Sequence, residues 1–388
     1  KTLSVLMKNK ECMEISCDIE EERSLIGNIY VGKVKNIVKN IDAAFIEIKK
    51  GVLCFLPLSE AEGAIFTTPK EHKKLVVGDE LLVQVLKDGV KTKAPVVSTN
   101  LNFTGRYFVF TTKRKEQLGI SNKLGEEDRK RLQEYASGKE KDSFGMIIRT
   151  NAKGATVEEL DAEYDYLKEV YHKVIDFGIH KTTFSLLMQD EAPYIKQLRN
   201  IRQDELEEII TDDKGIYEEA YEFLKAHQPG DLEKLRLYSD ESYSLWNLYG
   251  LETLLDDATR TRVWLKSGGY LVIEPTEALT VIDVNTGKYE GNKNADATFL
   301  KINQEAAVET AKQLRLRNIS GIIIIDFIDM KTEADKLEVL STLNQALKTD
   351  PVKATLVDMT KLNLAEVTRK KVKKSLREQL GSYDYRRN

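Results

Sequence analysis

The chain has 388 residues, 41% of them apolar, and a formal net charge of −4 from 59 Lys and Arg against 63 Asp and Glu. That length allows two or three domains with real cores. No uncharged run approaches the length of a membrane span and no signal peptide opens the chain, so no membrane association is expected. Cys12, Cys17 and Cys54 form no CxxC pair and need no disulfide, which makes a reducing cytoplasm the simplest location. His72, His172, His180 and His227 lack zinc-ligand spacing. With no G-x-S-x-G and no Walker loop, zinc hydrolases, serine-nucleophile hydrolases and P-loop enzymes lose their main support. The charge is unevenly spread. Nine acids stand against one lysine between Asp204 and Glu222, and seven bases against one acid between Lys361 and Arg377. A chain that is acidic in total can still present a basic face to phosphate.

Residues 1 to 25 carry two alternating runs, L-S-V-L-M and C-M-E-I-S-C, expected as a strand pair that joins a sheet built elsewhere. From Asn28 to Asn100 the chain reads as short strands and turns: N-I-Y-V-G-K-V-K-N-I-V, D-A-A-F-I-E-I, G-V-L-C-F-L-P and V-G-D-E-L-L-V-Q-V. Close spacing of such strands predicts a small β-barrel. An isolated phenylalanine in one of these strands, Phe45 or Phe55, is more often barrel core than a stacking surface. The polar stretch 60–74 is expected as a mobile loop. After it come G-R-Y-F-V-F from Gly105, a charged helix from Glu126 to Ser137, and G-M-I-I-R-T-N-A from Gly145. An arginine directly after a strand, as Arg149 is, is ordinarily solvated. A long amphipathic helix over 156–176 follows.

The segment 182–264 holds the acidic run and ends in Y-G-L-E-T-L-L-D-D-A. Arg262 to Glu274 then predicts a hairpin around S-G-G. Leu279 to Val284 is a β-branched run stopped by Asn285, Thr286 and Gly287, which fits a buried strand. Asp296 to Arg317 has helical spacing, with Phe299, Ile302 and Ala306 on one face. The four isoleucines from Ile322 to Ile325 predict a strand covered on both sides. If the two strands lie parallel, the crossover rule puts Asp283 and Asp326 at the same sheet edge. Carboxylates after so much apolar surface need a partner or a cation, and two converging ones suit Mg²⁺ or, alternatively, Mn²⁺. Asn285 shares a face with Asp283 and can reach a phosphate oxygen. The alternative is that both aspartates cap helices or close turns. Glu277 is a candidate to hydrogen-bond a metal-bound water, and Asp329 a rival ligand. Beyond the core, 334–347 predicts a helix, A-T-L-V-D-M-T a strand, and L-A-E-V-T-R-K-K-V-K-K-S-L a basic helix.

The blocks A-L-T-V-I-D-V-N-T-G-K, N-Q-E-A-A, Q-L-R-L-R-N and I-I-I-I-D-F-I-D-M are long, ordered and well spaced, and they resemble the catalytic core of the ribonuclease E/G family. The likeness runs from Ile29 to Leu376. It implies an endoribonuclease for single-stranded RNA, dependent on Mg²⁺ (or Mn²⁺), in which Asp283 and Asp326 hold the metal and Asn285 contacts the scissile phosphate. The products would carry 5′-phosphates, 5′-monophosphorylated RNA would be favoured, and the biology would be rRNA processing and mRNA decay. It implies an α/β multi-domain fold. An S1-type OB barrel (28–100), with Phe45 and Phe55 stacking bases and Lys87 and Lys93 turned to RNA, leads into a 5′-sensor region (101–181). Val109, Arg149 and Thr150 would line the sensor's pocket for a 5′-monophosphate. Barrel and sensor would be inserted in an RNase-H-like subdomain (1–27 with 182–264), whose Asp256 and Asp257 are structural. A DNase-I-like catalytic subdomain (265–388) follows, with Arg369, Lys370 and Lys371 on the RNA backbone. Larger relatives carry a C-P-x-C zinc motif just past this point. This chain has no cysteine after Cys54, so no structural zinc is expected, and a monomer or a zinc-independent homodimer replaces the zinc-linked assembly. The absence of an initial methionine suggests a trimmed chain.

Overall fold

The computed structural model describes residues 1–18, 24–70, 74–89, 93–113, 117–139, 143–287 and 295–381. The chain forms two compact units, Lys1–Arg23 with Asp240–Asn388, and Ser24–Ser239. In the first, β1 (Thr2–Lys8) and β2 (Glu11–Asp18) make an antiparallel hairpin. Its turn residues Asn9 and Lys10 both have positive φ, the geometry that matches strand twist in a two-residue loop. The hairpin does not join a larger sheet, as its sequence predicted, but remains a two-stranded ribbon. Cys12, Ile15 and Cys17 instead find apolar partners in Leu255, Ala258, Leu316 and Leu376.

In the second unit, β3 (Ile29–Val38), β4 (Ala43–Lys49), β5 (Val52–Pro57), β6 (Glu80–Lys87) and β7 (Val96–Ser98) follow one another in the order β3-β4-β5-β7-β6. The ten-residue β3 pairs with β4 along one half and β6 along the other, which closes the five strands into the expected barrel. Gly32 sits where a Cβ would meet Ile46 at 2.5 Å, so the strand crossing needs glycine. The stretch after Glu60 is not the loose loop its polarity suggested. Phe66 bridges Leu81, Leu82 donates to Ile65 O, and Lys70 pairs with Asp79, so 61–70 lie against the barrel.

Next come β8 (Asn102–Thr104), β9 (Phe108–Thr111), β10 (Leu118–Ile120), α1 (Glu126–Ser137) and β11 (Gly145–Ile148), with a sheet order β10-β11-β9-β8. Helix α2 (Val157–Gly178) starts with a capping box between Thr156 and Glu159. Its Tyr164 and Tyr171 pack into an aromatic core with Phe103, Phe108, Phe110 and Phe144. Strand β12 (Leu186–Met188) then adds to β3. The unit ends with α3 (Pro193–Asn200), β13 (Ile209–Thr211), α4 (Lys214–His227) and β14 (Leu235–Leu237), where β13 and β14 pair in parallel. Residues 182–239 thus lie in the barrel's unit around their own small core of Ile195, Leu198, Ala220 and Leu224, while the helix Leu251–Thr259 packs with the N-terminal hairpin. The predicted grouping of 1–27 with all of 182–264 is divided at that point.

The first unit resumes with α5 (Leu245–Leu248), α6 (Leu251–Thr259), β15 (Arg262–Trp264), β16 (Tyr270–Pro275), β17 (Leu279–Asn285), α7 (Ala295–Leu316), β18 (Gly321–Asp326), α8 (Glu333–Lys348), β19 (Ala354–Met359), β20 (Leu364–Arg369) and α9 (Leu376–Leu380). Its six-stranded sheet has the order β15-β16-β17-β18-β20-β19, with β17 and β18 parallel across the α7 crossover. Leu271, Ile282, Ile323, Ile325 and Val367 face α7 and α8 in one core. Two predictions are corrected here. The isoleucine strand is covered on one face only, since Ile323 and Ile325 are buried while Ile322 is 50% exposed. The stretch from Leu364 is not a basic helix but strand β20, because Leu364, Glu366 and Thr368 alternate with the buried Ala365, Val367 and Arg369. Among the described residues no helix is long and apolar enough to cross a membrane.

Candidate catalytic face and RNA-binding surfaces

Strand parity decides what meets at the sheet. In β17, Thr280, Ile282 and Val284 are buried under the helices, so Asp283 and Asn285 point to the opposite, open face. Asp283 and Asp326 are register partners at the carboxyl ends of β17 and β18. Register partners share a face, so the two carboxylates stand side by side there. Asn285 is aimed at the same place and donates Nδ2–H to Asp283 Oδ2 at 2.8 Å. Burial pushes the Asp326 carboxyl above its ordinary range, and the charges of Asp283 and then Asp329 push it further. Such a like-charge pair is the condition a cation relieves. Mg²⁺ binds through one or two carboxylates and keeps several waters, which fits this pair with Asn285 alongside. Among the described residues no group of three or more His, Cys, Asp and Glu side chains is arranged around a metal position.

The turns flanking the pair are fixed from α7. Asn303, fully buried, donates to Ile328 O at 2.8 Å and accepts from Ile328 N at 3.0 Å, which holds the loop that carries Asp329. Two residues on, Glu305 accepts from the backbone N–H groups of Lys266 (2.5 Å) and Ser267 (3.0 Å) in the β15–β16 turn. Gly287 has φ +66° and a Cβ there would lie 2.1 Å from Gly268 O, so the turn after Asn285 and the S-G-G turn close on each other only through glycine. Residues 288–294 lie outside the described residues.

Other predicted site residues fall elsewhere. Glu277 is exposed in the turn between β16 and β17, six residues before Asp283. At strand rise that is about 20 Å from the carboxylates, too far to touch a water held between them. Arg369 is on the helix-covered face, 3% exposed, with Nε 2.8 Å from Asp350 Oδ2 and Nη1 2.9 Å from Asn318 Oδ1. It is a core ion pair and not a backbone contact. Lys370 and Lys371 are exposed but follow the Gly321 end of the sheet, since β20 runs antiparallel to β18. One base at the carboxylate end is Lys361, exposed in the β19–β20 turn three residues before Leu364, which pairs with Asp326. Nothing in the sequence pattern singles out Lys361. The sequence signal for Asn303 is an asparagine on the buried face of a helix. Asp257 pairs with Arg260 at 2.8 Å, and the Asp256 backbone carbonyl accepts from the Thr259 hydroxyl.

In the barrel, Phe45 and Phe55 are register partners with rings 6.0 Å apart in an edge contact. Their neighbours Ala44, Ile46, Cys54 and Leu56 fill the interior, so both rings lie on the outer surface and neither is barrel core. Lys87 and Phe55 are both register partners of Val96, which puts the exposed lysine in the same row, and Lys93 is exposed nearby in sequence. At the sensor region, Arg149 leaves β11 with its N–H on Tyr107 O (2.7 Å), and half-buried Val109 pairs with Ile147. The Arg149 guanidinium donates to Gly105 O, Arg106 O and Asn200 Oδ1. Its pKa is lowered to about 10, by burial first and by Arg199 next. Thr150 Oγ1 lies 2.9 Å from Ser121 Oγ. Beneath them the Glu163 carboxylate accepts from the N–H groups of Arg106 (2.7 Å), Tyr107 (2.7 Å) and Phe108 (2.9 Å). Burial nevertheless raises its pKa.

Residues 102–372 match the Ribonuclease E/G family, and residues 25–100 match the S1 RNA binding domain. The chain is 36% identical to Ribonuclease G of Salmonella typhimurium over 374 residues, covering 94% of this chain and 76% of that protein. It is 34% identical to Ribonuclease G of Haemophilus influenzae over 97% of this chain and 78% of that one. With Ribonuclease E of Synechocystis sp. the identity is 34%, over 92% of this chain and 54% of the relative.

Proposed function

The chain belongs to the ribonuclease E/G family and is an endoribonuclease with an S1 RNA-binding domain, and we propose that it hydrolyses single-stranded RNA at Asp283 and Asp326 with a divalent cation, Mg²⁺ or Mn²⁺. The observation that carries this reading is the register pairing of the two carboxylates on the open sheet face with Asn285 beside them. The chemistry a bound divalent cation supplies there is charge neutralisation on the phosphoryl oxygens and a more nucleophilic water. Asp283 and Asp326 would hold the ion, and Asn285 keeps Asp283 oriented through its hydrogen bond. In the hydrolysis, water oxygen bonds to phosphorus and the bond to the ribose 3′-oxygen breaks. The 3′-oxygen takes up a proton, and the product downstream carries a 5′-phosphate. Phe45, Phe55, Lys87 and Lys93 would receive the strand by stacking and charge, and Lys361 would meet its backbone at the carboxylate edge.

A preference for 5′-monophosphate ends is supported by the Arg149 guanidinium. Its hydrogen bonds go to carbonyl oxygens, while the Glu163 and Glu191 carboxylates nearby favour its charged form, the form that binds an anion. Thr150 adds a hydroxyl and Val109 an apolar wall. The natural substrates in this reading are rRNA precursors and mRNA in the cytoplasm. The test is cleavage of one fluorescent single-stranded RNA bearing 5′-monophosphate or 5′-hydroxyl, with Mg²⁺ or EDTA, by wild type and Asp326→Asn. Metal-dependent internal cuts, lost in the variant and faster with the monophosphate, are expected. Binding without cutting would sink the catalytic assignment, and cutting indifferent to the 5′ end would remove Arg149, Thr150 and Val109 from their role.

A further inference from the structure

The open face of the six-stranded sheet carries one group that the cutting reaction has not used. Strand β15 lies at the sheet edge, and its register runs Trp264↔Tyr270 and Arg262↔Val272 on β16. The same β16 residues continue as Tyr270↔Asn285 and Val272↔Asp283 on β17. Register partners share a face, so Trp264, Tyr270 and Asn285 form one row, and Arg262, Val272, Asp283 and Asp326 the next. At about 4.8 Å per strand, Trp264 is roughly 10 Å from Asn285, and Arg262 roughly 10 Å from Asp283.

The three side chains make a cluster. The Trp264 and Tyr270 ring centroids are 5.1 Å apart, and the Arg262 guanidinium lies 4.4 Å from the Tyr270 centroid and 5.9 Å from that of Trp264. Yet Trp264 is 62% exposed, so its ring contributes little buried area to the fold. Among the described residues no carboxylate forms an ion pair with Arg262. An exposed indole beside a cation whose charge is not met by an acid is the composition that accepts nucleobases on single strands, by stacking and by attraction to the neighbouring phosphate.

We propose that Trp264, with Tyr270 and Arg262, is a stacking platform for a nucleobase of single-stranded RNA within one or two nucleotides of the phosphate cut at Asp283 and Asp326. This rests on the reading of that pair as the cutting centre. The platform selects for an unpaired base at that position, because a base held in a duplex cannot offer its face to Trp264. It sets binding of the strand next to the cut and takes no part in bond breaking.

The test uses the full chain and a 5′-monophosphorylated single-stranded RNA with one mapped cut, plus versions with a single abasic ribose at each of the two nucleotides on either side. Trp264→Ala should raise KM on the intact RNA on the order of 10-fold. It should lose that penalty on the RNA that is abasic at one of the four positions, and Trp264→Phe, which keeps a ring, should recover most of the affinity. A readout without cleavage is the tryptophan fluorescence of Asp326→Asn, which RNA should quench, and which should respond far less when Trp264→Phe is added. An equal penalty on intact and abasic RNAs, or quenching unchanged without Trp264, overturns the platform. So does a change of mass in sedimentation equilibrium with unchanged handling of RNA, which would give the patch to a second copy. If wild type cuts nothing in Mg²⁺ or Mn²⁺ while the Trp264-dependent quench persists, the platform stands and the nuclease reading falls.

Discussion

Asn303 uses both ends of its side-chain amide on a single residue, giving a proton to Ile328 O and taking one from Ile328 N. The loop after Asp326 is therefore fixed by a helix on the other side of the sheet. Asn303→Leu leaves two backbone groups without partners, a loss of about 1–3 kcal/mol in unfolding stability. As a positioning residue, Asn303 should affect kcat more than KM, because the RNA surface is untouched. Chemical denaturation with steady-state cleavage of the same preparation checks both. An unchanged kcat would show that the loop carrying Asp329 does not matter to the cut.

The pH dependence of stability follows from Asp326. Its pKa is raised in the folded state, by burial and then by Asp283 and Asp329, so the folded protein holds this proton more tightly than the unfolded chain. In the window between the ordinary Asp pKa and the raised one, the folded state binds more protons, and stability falls as pH rises. Above that window the ionised group disfavours the fold. Without metal, Asp326→Asn should therefore melt higher than wild type at neutral pH, and the gap should close as pH falls below the ordinary Asp range. Thermal melts of both proteins in EDTA from about pH 3 to 8 read the difference. A variant that melts lower at neutral pH would contradict the repulsion.

Arg369 and Lys361 separate structure from binding. Arg369→Met leaves Asp350, only 5% exposed, as a buried charge without its guanidinium. Breaking one side of such a pair costs about 3–5 kcal/mol, enough to lower expression or melting temperature markedly. Lys361→Ala should leave melting unchanged and weaken RNA binding, with a salt slope shallower by about 0.7 for one lost phosphate contact. Fluorescence anisotropy at several salt concentrations measures it. Lys370→Ala and Lys371→Ala should change that slope less than Lys361→Ala does.

Gly287 offers the strictest test of the turn. A methyl at this position meets Gly268 O at 2.1 Å, and the φ of +66° disfavours any L side chain. Gly287→Ala should displace Asn285 and reduce cleavage by at least an order of magnitude, while RNA binding through the S1 domain, measured by anisotropy, is kept. Full activity would show that the turn relaxes without moving Asn285.

Much of the candidate catalytic face was legible because strand periodicity is short-range. Two apolar runs ending in aspartate, with a helix of the right length between, fit a parallel crossover, and such a crossover puts Asp283 and Asp326 at one edge. What the pattern could not give was the side of the sheet that is covered. Four successive isoleucines look alike whether one face or both are buried, and only packing against α7 and α8 distinguishes Ile323 from Ile322. The same ambiguity misread β20. Lys370 and Lys371 simulate a basic helix in composition, but Ala365, Val367 and Arg369 follow period two, and an arginine on the buried side is intelligible only once Asp350 and Asn318 are beside it. Glu277 failed for a plainer reason. Six residues are close in sequence and span a whole strand in space. In the barrel, the outward direction of Phe45 and Phe55 depended on which neighbours fill the interior.

One helix holds both margins of the candidate catalytic face, Asn303 gripping the loop after β18 and Glu305 the β15–β16 turn. Their anchors sit two residues apart, within a single turn of α7, so fraying of that helix from its beginning would release both margins in one event. Amide hydrogen exchange across 300–306 would then report a single opening equilibrium rather than two. Whatever lowers that opening, a bound RNA included, would tighten both sides together, and working temperature would be limited by unwinding of this short stretch before global melting.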